Sequence, residues 1–182
     1  MKFDKSIKIS LGLVALLWII TIADFLIPLD FTRLGIYPRT FFGLLGIIFS
    51  PFLHTGFHHV ASNSIPLLIL LTVMLSFYQK IAFEALFYMV LFTDILVWIL
   101  ARPAYHVGAS GLVYSLAAFL IAAGFFKRKA MSAFIAAAVA LLYGGLVWGA
   151  VPGLVDWYIS WEAHFFGATT GIYLAHFYKR KL

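Results

Sequence analysis

Long apolar runs alternate along this chain with short polar interruptions. Six runs reach the roughly 20 mostly apolar residues that a bilayer-spanning helix needs. They cover about residues 7–29, 57–77, 81–100, 110–126, 131–150 and 159–178. Each predicts a helix, because a backbone exposed to lipid must satisfy its own hydrogen bonds. The second, fourth and sixth runs differ from the others in carrying polar side chains at their first turns. The connection Asp30–Leu53 is the one long link. It is apolar yet broken by Pro38, Gly43, Gly46 and Pro51, which predicts an interfacial excursion with short helices rather than a seventh span. The expected architecture is an all-α polytopic membrane protein: six transmembrane helices with a long interfacial loop between helices 1 and 2. Residues 1–182 read as a single domain, with no soluble domain appended.

Composition agrees with this reading and excludes others. The 182 residues are 64% hydrophobic and only 11% charged, whereas soluble domains run near about 25% charged. Disorder is excluded by the same numbers. With no cysteine, a disulfide scaffold and thiol chemistry are excluded too. Lys2, Lys5 and Lys8 before the first run resemble the head of a signal peptide. The run is longer than a signal core and no small-x-small cleavage site follows, so it is expected to be a retained span.

The formal charge of +6 gains meaning from its placement. Lys2, Lys5, Lys8, Lys80, Lys127, Arg128, Lys129, Lys179, Arg180 and Lys181 all fall on one side of a six-span topology; Arg33, Arg39 and Arg102 fall outside this set. By the positive-inside rule that side is cytoplasmic, and both termini share it. The basic balance therefore reports orientation in a cell membrane and contact with anionic lipids, not nucleic acid.

Polar groups within a bilayer are costly and mark function by default. In the expected topology, runs 2, 4 and 6 all start in the outer leaflet. They bring His54, His58, His59, Ser62 and Asn63, then His106, Gly108, Ser110 and Gly111, then Glu162 and His164, to one depth. A serine at a helix N-terminus has unbonded backbone N–H groups beside it, suited to holding an oxyanion. A serine hydroxyl needs a base to become a nucleophile, and His164 is available at that depth. His59 and Asn63 are four residues apart on one helical face, and both can donate hydrogen bonds. The plainer readings stand beside these. Ser110 reads equally as an N-cap, Gly108, Gly111, Gly167 and Gly171 as close-packing positions, and Asn63 as interhelical glue. His54, His58 and His59 also contain an i, i+4 pair usable by zinc, which would suit a metal-binding or transport protein.

Three segments taken together carry a family resemblance. His54-Thr-Gly-Phe-His58-His59-Val-Ala-Ser-Asn63, Gly108-Ala-Ser110-Gly111-Leu-Val-Tyr114 and Glu162-Ala-His164-Phe-Phe-Gly167-Ala-Thr-Thr-Gly171 resemble the motifs of rhomboid intramembrane serine proteases, in the same order. Gly35-Ile-Tyr-Pro-Arg39 is similar to the first loop of many bacterial members. The resemblance implies the minimal six-span rhomboid-like bundle and cleavage of transmembrane protein substrates near the outer face, without a cofactor. It implies Ser110 as nucleophile and His164 as general base. It also implies His59, Asn63 and the Ser110 backbone N–H as oxyanion donors. Tyr114 would pack on the histidine, Gly108 and Gly111 would flank the nucleophile, Gly167 would let span 6 approach span 4, and His54 would be structural. A catalytically inactive relative that binds membrane clients is the alternative within the family. The Trp-Arg pair of some first loops is absent, with Tyr37-Pro38-Arg39 standing near its place. Asp94 reads as a partner in an interhelical hydrogen bond, while Asp24, His58 and His106 receive no role. Small residues in run 5, Ala136-Ala137-Ala138 and Gly144-Gly145, predict a weakly packed helix suited to a lateral gate.

Overall fold

The computed structural model describes residues 3–127 and 129–182. Lys2 and Arg128, part of the orientation count above, lie outside the described residues. Seven α-helices are present among them: α1 (Phe3–Leu26), α2 (Gly46–Phe49), α3 (Phe57–Phe77), α4 (Ala82–Leu100), α5 (Ser110–Lys127), α6 (Ala130–Tyr143) and α7 (Trp161–Phe177). A 3-10 segment, Gly144–Ala150, continues from α6.

Five stretches are long and apolar enough to cross a membrane: α1, α3, α4, α5 and Ala130–Ala150. The predicted boundaries hold closely for α3, α4 and α5. The first run starts and stops earlier than 7–29, ending at Leu26 just ahead of Ile27-Pro28, where the proline restricts the preceding residue. Run 131–150 is not one α-helix. It breaks at the Gly144-Gly145 pair into α6 and the 3-10 segment, where the loss of side chains weakens helix propagation. Run 159–178 is trimmed to a 17-residue helix because Ser160 caps it; the Ser160 hydroxyl accepts from Ala163 N–H at 3.2 Å. The linker Asp30–Leu53 holds three short 3-10 turns and α2.

Small and polar groups stand at helix contacts beside a core of large apolar side chains, and many further large apolar side chains face outward. The inner face of α1 presents Ser6, Ser10, Leu17 and Thr21, while Ile19, Phe25 and Leu26 point outward. Trp18 Nε1 donates to Ser64 Oγ at 3.0 Å, tying α1 to α3. The core is built around α5, buried along most of its length by Val113, Leu116, Phe119 and Leu120.

The contact between α5 and α7 is the most extensive in the molecule. A Cβ on Gly167 would collide with the Gly111 carbonyl, and one on Gly171 with the Ser115 carbonyl. These two positions let the helix backbones touch, as the motif spacing predicts for span 6 against span 4.

Candidate active site

The linker before α3 builds the floor of the site. Arg39, a non-glycine residue at φ +60, donates through Nη1 to the carbonyls of Ile99 (3.1 Å) and Ala101 (2.8 Å). Those are carbonyls at the C-terminus of α4, where a cation also meets the favourable end of the helix dipole. Trp98 Nε1 returns a bond to the Thr40 carbonyl at 3.0 Å. Arg39 thus anchors the linker without the absent Trp-Arg pair.

The linker in turn holds the loop that leads into α5. Ile36 and His106 form an antiparallel bridge, with N–H···O distances of 3.0 and 2.8 Å. Gly108 N–H donates to the Ser50 carbonyl at 2.8 Å, while Ser50 Oγ donates to buried Asp94 at 3.1 Å. Ala109 N–H points to His54 Nε2 at 3.4 Å. Asp94 is thus hydrogen-bonded to the linker rather than to another spanning helix, and through Ser50 it supports the loop before Ser110. His54 lies ahead of α3 rather than on it, so it shares no helical face with His58. That removes the spacing argument for a zinc pair, and among the described residues no cluster of three metal-ligating side chains occurs.

Burial lowers the His54 pKa to about 4, with His59 adding to the effect. His106 is lowered as well, chiefly by burial. Its ring accounts for a residue with no assigned role. A carbonyl only accepts, so Nε2–H donates to the Arg102 carbonyl at 3.1 Å. Nδ1 then accepts from the Ser160 hydroxyl at 2.6 Å. Ser160 is the cap of α7, so this chain of bonds fastens α7 to the α4–α5 loop. Glu162 strengthens the same joint, lying 3.6 Å from Arg102 Nε, while Arg102 Nη2 donates to the Ile159 carbonyl at 2.7 Å. Glu162 faces Arg102, away from the role of a catalytic carboxylate.

On this support the predicted residues converge. Ser110, His164, His59, Asn63 and Tyr114 all line one cavity of about 520 Å³, together with exposed His58. Ser110 is the first residue of α5, inside the helix rather than at its cap. The first intrahelical bond runs from Val113 N–H to the Ala109 carbonyl at 3.0 Å. Its own N–H precedes that ladder and faces no helical partner. Tyr114 lies one turn below Ser110 on the same face. The His164 ring stacks on Tyr114 with centroids 4.1 Å apart and planes 4° from parallel. His164 Nδ1–H donates to the Gly149 carbonyl at 2.8 Å.

His59 lines the same cavity from α3, against Gly108. Gly108 adopts φ +119, a conformation that side chains rarely take, and a Cβ there would stand 2.7 Å from His59 Nε2. Asn63 Nδ2 is the next atom beyond, and it also donates to the His59 carbonyl at 3.1 Å. Thr55 N–H points at His59 Nδ1 at 3.5 Å, which leaves Nε2 as the protonated, donating nitrogen. His59 rather than His58 is the histidine that meets Gly108 and shares its face with Asn63. Gly111 packs against Thr93 of α4 and Ala163 of α7. Sequence reasoning missed Gly149, Ser160, Arg102 and Ser50. The first of these acts through a backbone carbonyl and has no side-chain signature.

An all-helical bundle with membrane-length apolar helices and a polar cavity at the helix starts defines a multi-pass integral membrane protein. Residues 42–181 match the Rhomboid domain family, and the chain belongs to that family. A protein of Mycobacterium tuberculosis (strain ATCC 25618 / H37Rv), described only as uncharacterized, is 34% identical over 181 residues, covering 91% of this chain and 72% of its own length. An uncharacterized protein of Mycobacterium leprae (strain TN) is 31% identical over 175 residues, covering 91% of this chain and 68% of its own length. No solved structure matches the chain significantly.

Proposed function

We propose that this protein is an intramembrane serine endopeptidase that hydrolyses peptide bonds in or near transmembrane segments of other membrane proteins. Rhomboid proteins are in general serine proteases of this kind, and membership of the family raises the expectation. The observation that carries the reading is the shared cavity: a serine at a helix start, a histidine stacked one turn away, and two side-chain donors from α3.

In this reading Ser110 attacks the scissile carbonyl and His164 accepts its proton. His59 Nε2–H, the Asn63 amide and the Ser110 backbone N–H stabilise the tetrahedral oxyanion. His164 then protonates the leaving amine, and water resolves the acyl-enzyme. A helical substrate must unwind first, because its carbonyls are otherwise hydrogen-bonded; segments rich in glycine unwind most readily. The chain acts as one domain of six spans in the cell membrane, α7 being the sixth. Its termini are cytoplasmic and its cavity opens to the outer side. Substrates enter laterally past α6. No cofactor takes part.

A fluorophosphonate probe on purified protein in detergent tests this reading. Wild type is expected to label, and Ser110→Ala and His164→Ala are not. A folded wild type that neither labels nor cleaves any transmembrane substrate would leave a client-binding relative in place of a protease.

A further inference from the structure

We propose that the Gly149 backbone carbonyl is the positioning partner of His164, and that His164 is held ready as a base only while the 3-10 segment Gly144–Ala150 is seated against α5 and α7. The proposal rests on the protease reading for its consequence, though not for its geometry.

A neutral imidazole has one N–H and one lone pair, and the neighbours decide which nitrogen carries which. A peptide carbonyl can only accept. The 2.8 Å contact between His164 Nδ1 and Gly149 O therefore places the proton on Nδ1 and the lone pair on Nε2. Nε2 is the nitrogen left to face the cavity shared with Ser110. The opposite tautomer would present an N–H there and could not accept the serine proton. When His164 becomes charged, the same carbonyl accepts from a cationic donor, a stronger bond than the neutral one.

In serine hydrolases with a triad, a carboxylate serves this purpose. Here the carboxylates around α7 are engaged elsewhere. Glu162 pairs with Arg102, Asp94 accepts from Ser50, and Asp156 accepts from the Tyr158 hydroxyl at 2.7 Å. The carbonyl occupies the orienting place that they leave.

The fit around Gly149 explains why it must be glycine. A Cβ at this position would overlap the Tyr114 hydroxyl and come within 3.4 Å of His164 Nδ1. Tyr114 thus meets His164 with its ring face and Gly149 with its hydroxyl. The three residues form one joint between α5, α7 and the 3-10 segment. That segment is held on one side only: Val147 and Trp148 are exposed, and a Cβ added at Gly144 or Gly145 would meet nothing within 4 Å. Displacing it removes the acceptor from the base without touching either member of the dyad.

Two measurements test the proposal. The first is the tautomer of His164 by 15N NMR of histidine-labelled protein, assigned by loss of the signal in His164→Ala. Wild type is expected to show Nδ1–H with Nε2 unprotonated, and an Nε2–H tautomer overturns the proposal whatever the activity. The second is kinetic. Gly149→Ala is expected to lower kcat on a transmembrane substrate by about tenfold or more with KM little changed, and to mix the two tautomers. Adding Tyr114→Phe removes the obstructing hydroxyl. The double variant is expected to recover several-fold of the lost kcat together with the Nδ1–H signal. Wild-type kcat in a folded Gly149→Ala overturns the proposal, as does a double variant no better than the single. If Gly149→Ala does not fold, the wild-type tautomer still decides. Failure of the protease reading appears separately, as an Nδ1–H histidine beside a Ser110 that takes no fluorophosphonate.

Discussion

The α5–α7 contact and the arm formed by α6 with Gly144–Ala150 both border the cavity and use glycine differently. Between α5 and α7, glycines bring backbone against backbone, and any added atom meets a carbonyl. Along the arm, two of the three glycines are open, and only Gly149 is closely packed. Gly144 and Gly145 could carry a Cβ without touching a neighbour, and Leu141, Leu142 and Trp148 lie on the outside. The same residue type therefore enforces contact in one place and loosens it in the other. Within the arm the open glycines are confined to Gly144-Gly145, since α6 itself packs closely on α5, where a Cβ on Gly124 would collide with Ala136.

The largest effect that would break this contrast is at Gly171. Gly171→Leu is expected to cost about 3 kcal/mol or more, because overpacking here must displace the Ser115 backbone. It should lower the melting temperature in detergent sharply and abolish probe labelling. Gly145→Leu, an equal increase in volume, is expected to leave the melting temperature nearly unchanged. Equal losses at the two sites would end the distinction.

Asn63→Ala comes next, with turnover reduced about 100-fold, as for loss of a single oxyanion donor, and folding retained. A variant with undiminished turnover would remove Asn63 from the oxyanion site.

The loop supporting Ser110 is expected to respond to pH. His54, lowered to about 4 by burial, and His106, also lowered, take up protons in the unfolded chain near pH 6.5 but not in the folded one. Stability should be full above about pH 6.5 and fall as pH drops toward 4. Melting temperatures that stay flat across that window would show that these rings are not buried in the folded protein. The smallest effect concerns Arg39→Ala, which removes two bonds to the α4 C-terminus and is expected to cost about 1 kcal/mol. Lysine in its place should recover less than half, having one point charge where the guanidinium bonds two carbonyls.

Much of the site could be read from the residues alone. Ser110, His164, His59 and Asn63 lie near the starts of three helices, α5, α7 and α3, and the three motifs carry them. All four line one cavity. The long helices were legible for a related reason, since a span is a run of apolar residues and nothing more. The break at Gly144-Gly145 was less so, because the same apolar run continues across it. His106 stayed without a role and Asp94 without a named partner, as their partners, Ser160 and Ser50, come from segments more than 40 residues away.

Sequence alone determined the membrane character, the approximate helices and which polar side chains stand near the helix starts, because hydropathy and side-chain chemistry belong to each residue wherever it lies. Tertiary structure alone decided which carbonyl holds His164 and which carbonyls Arg39 bonds to anchor the linker. Those outcomes rest on backbone groups common to every residue, and only packing determines which of them meet.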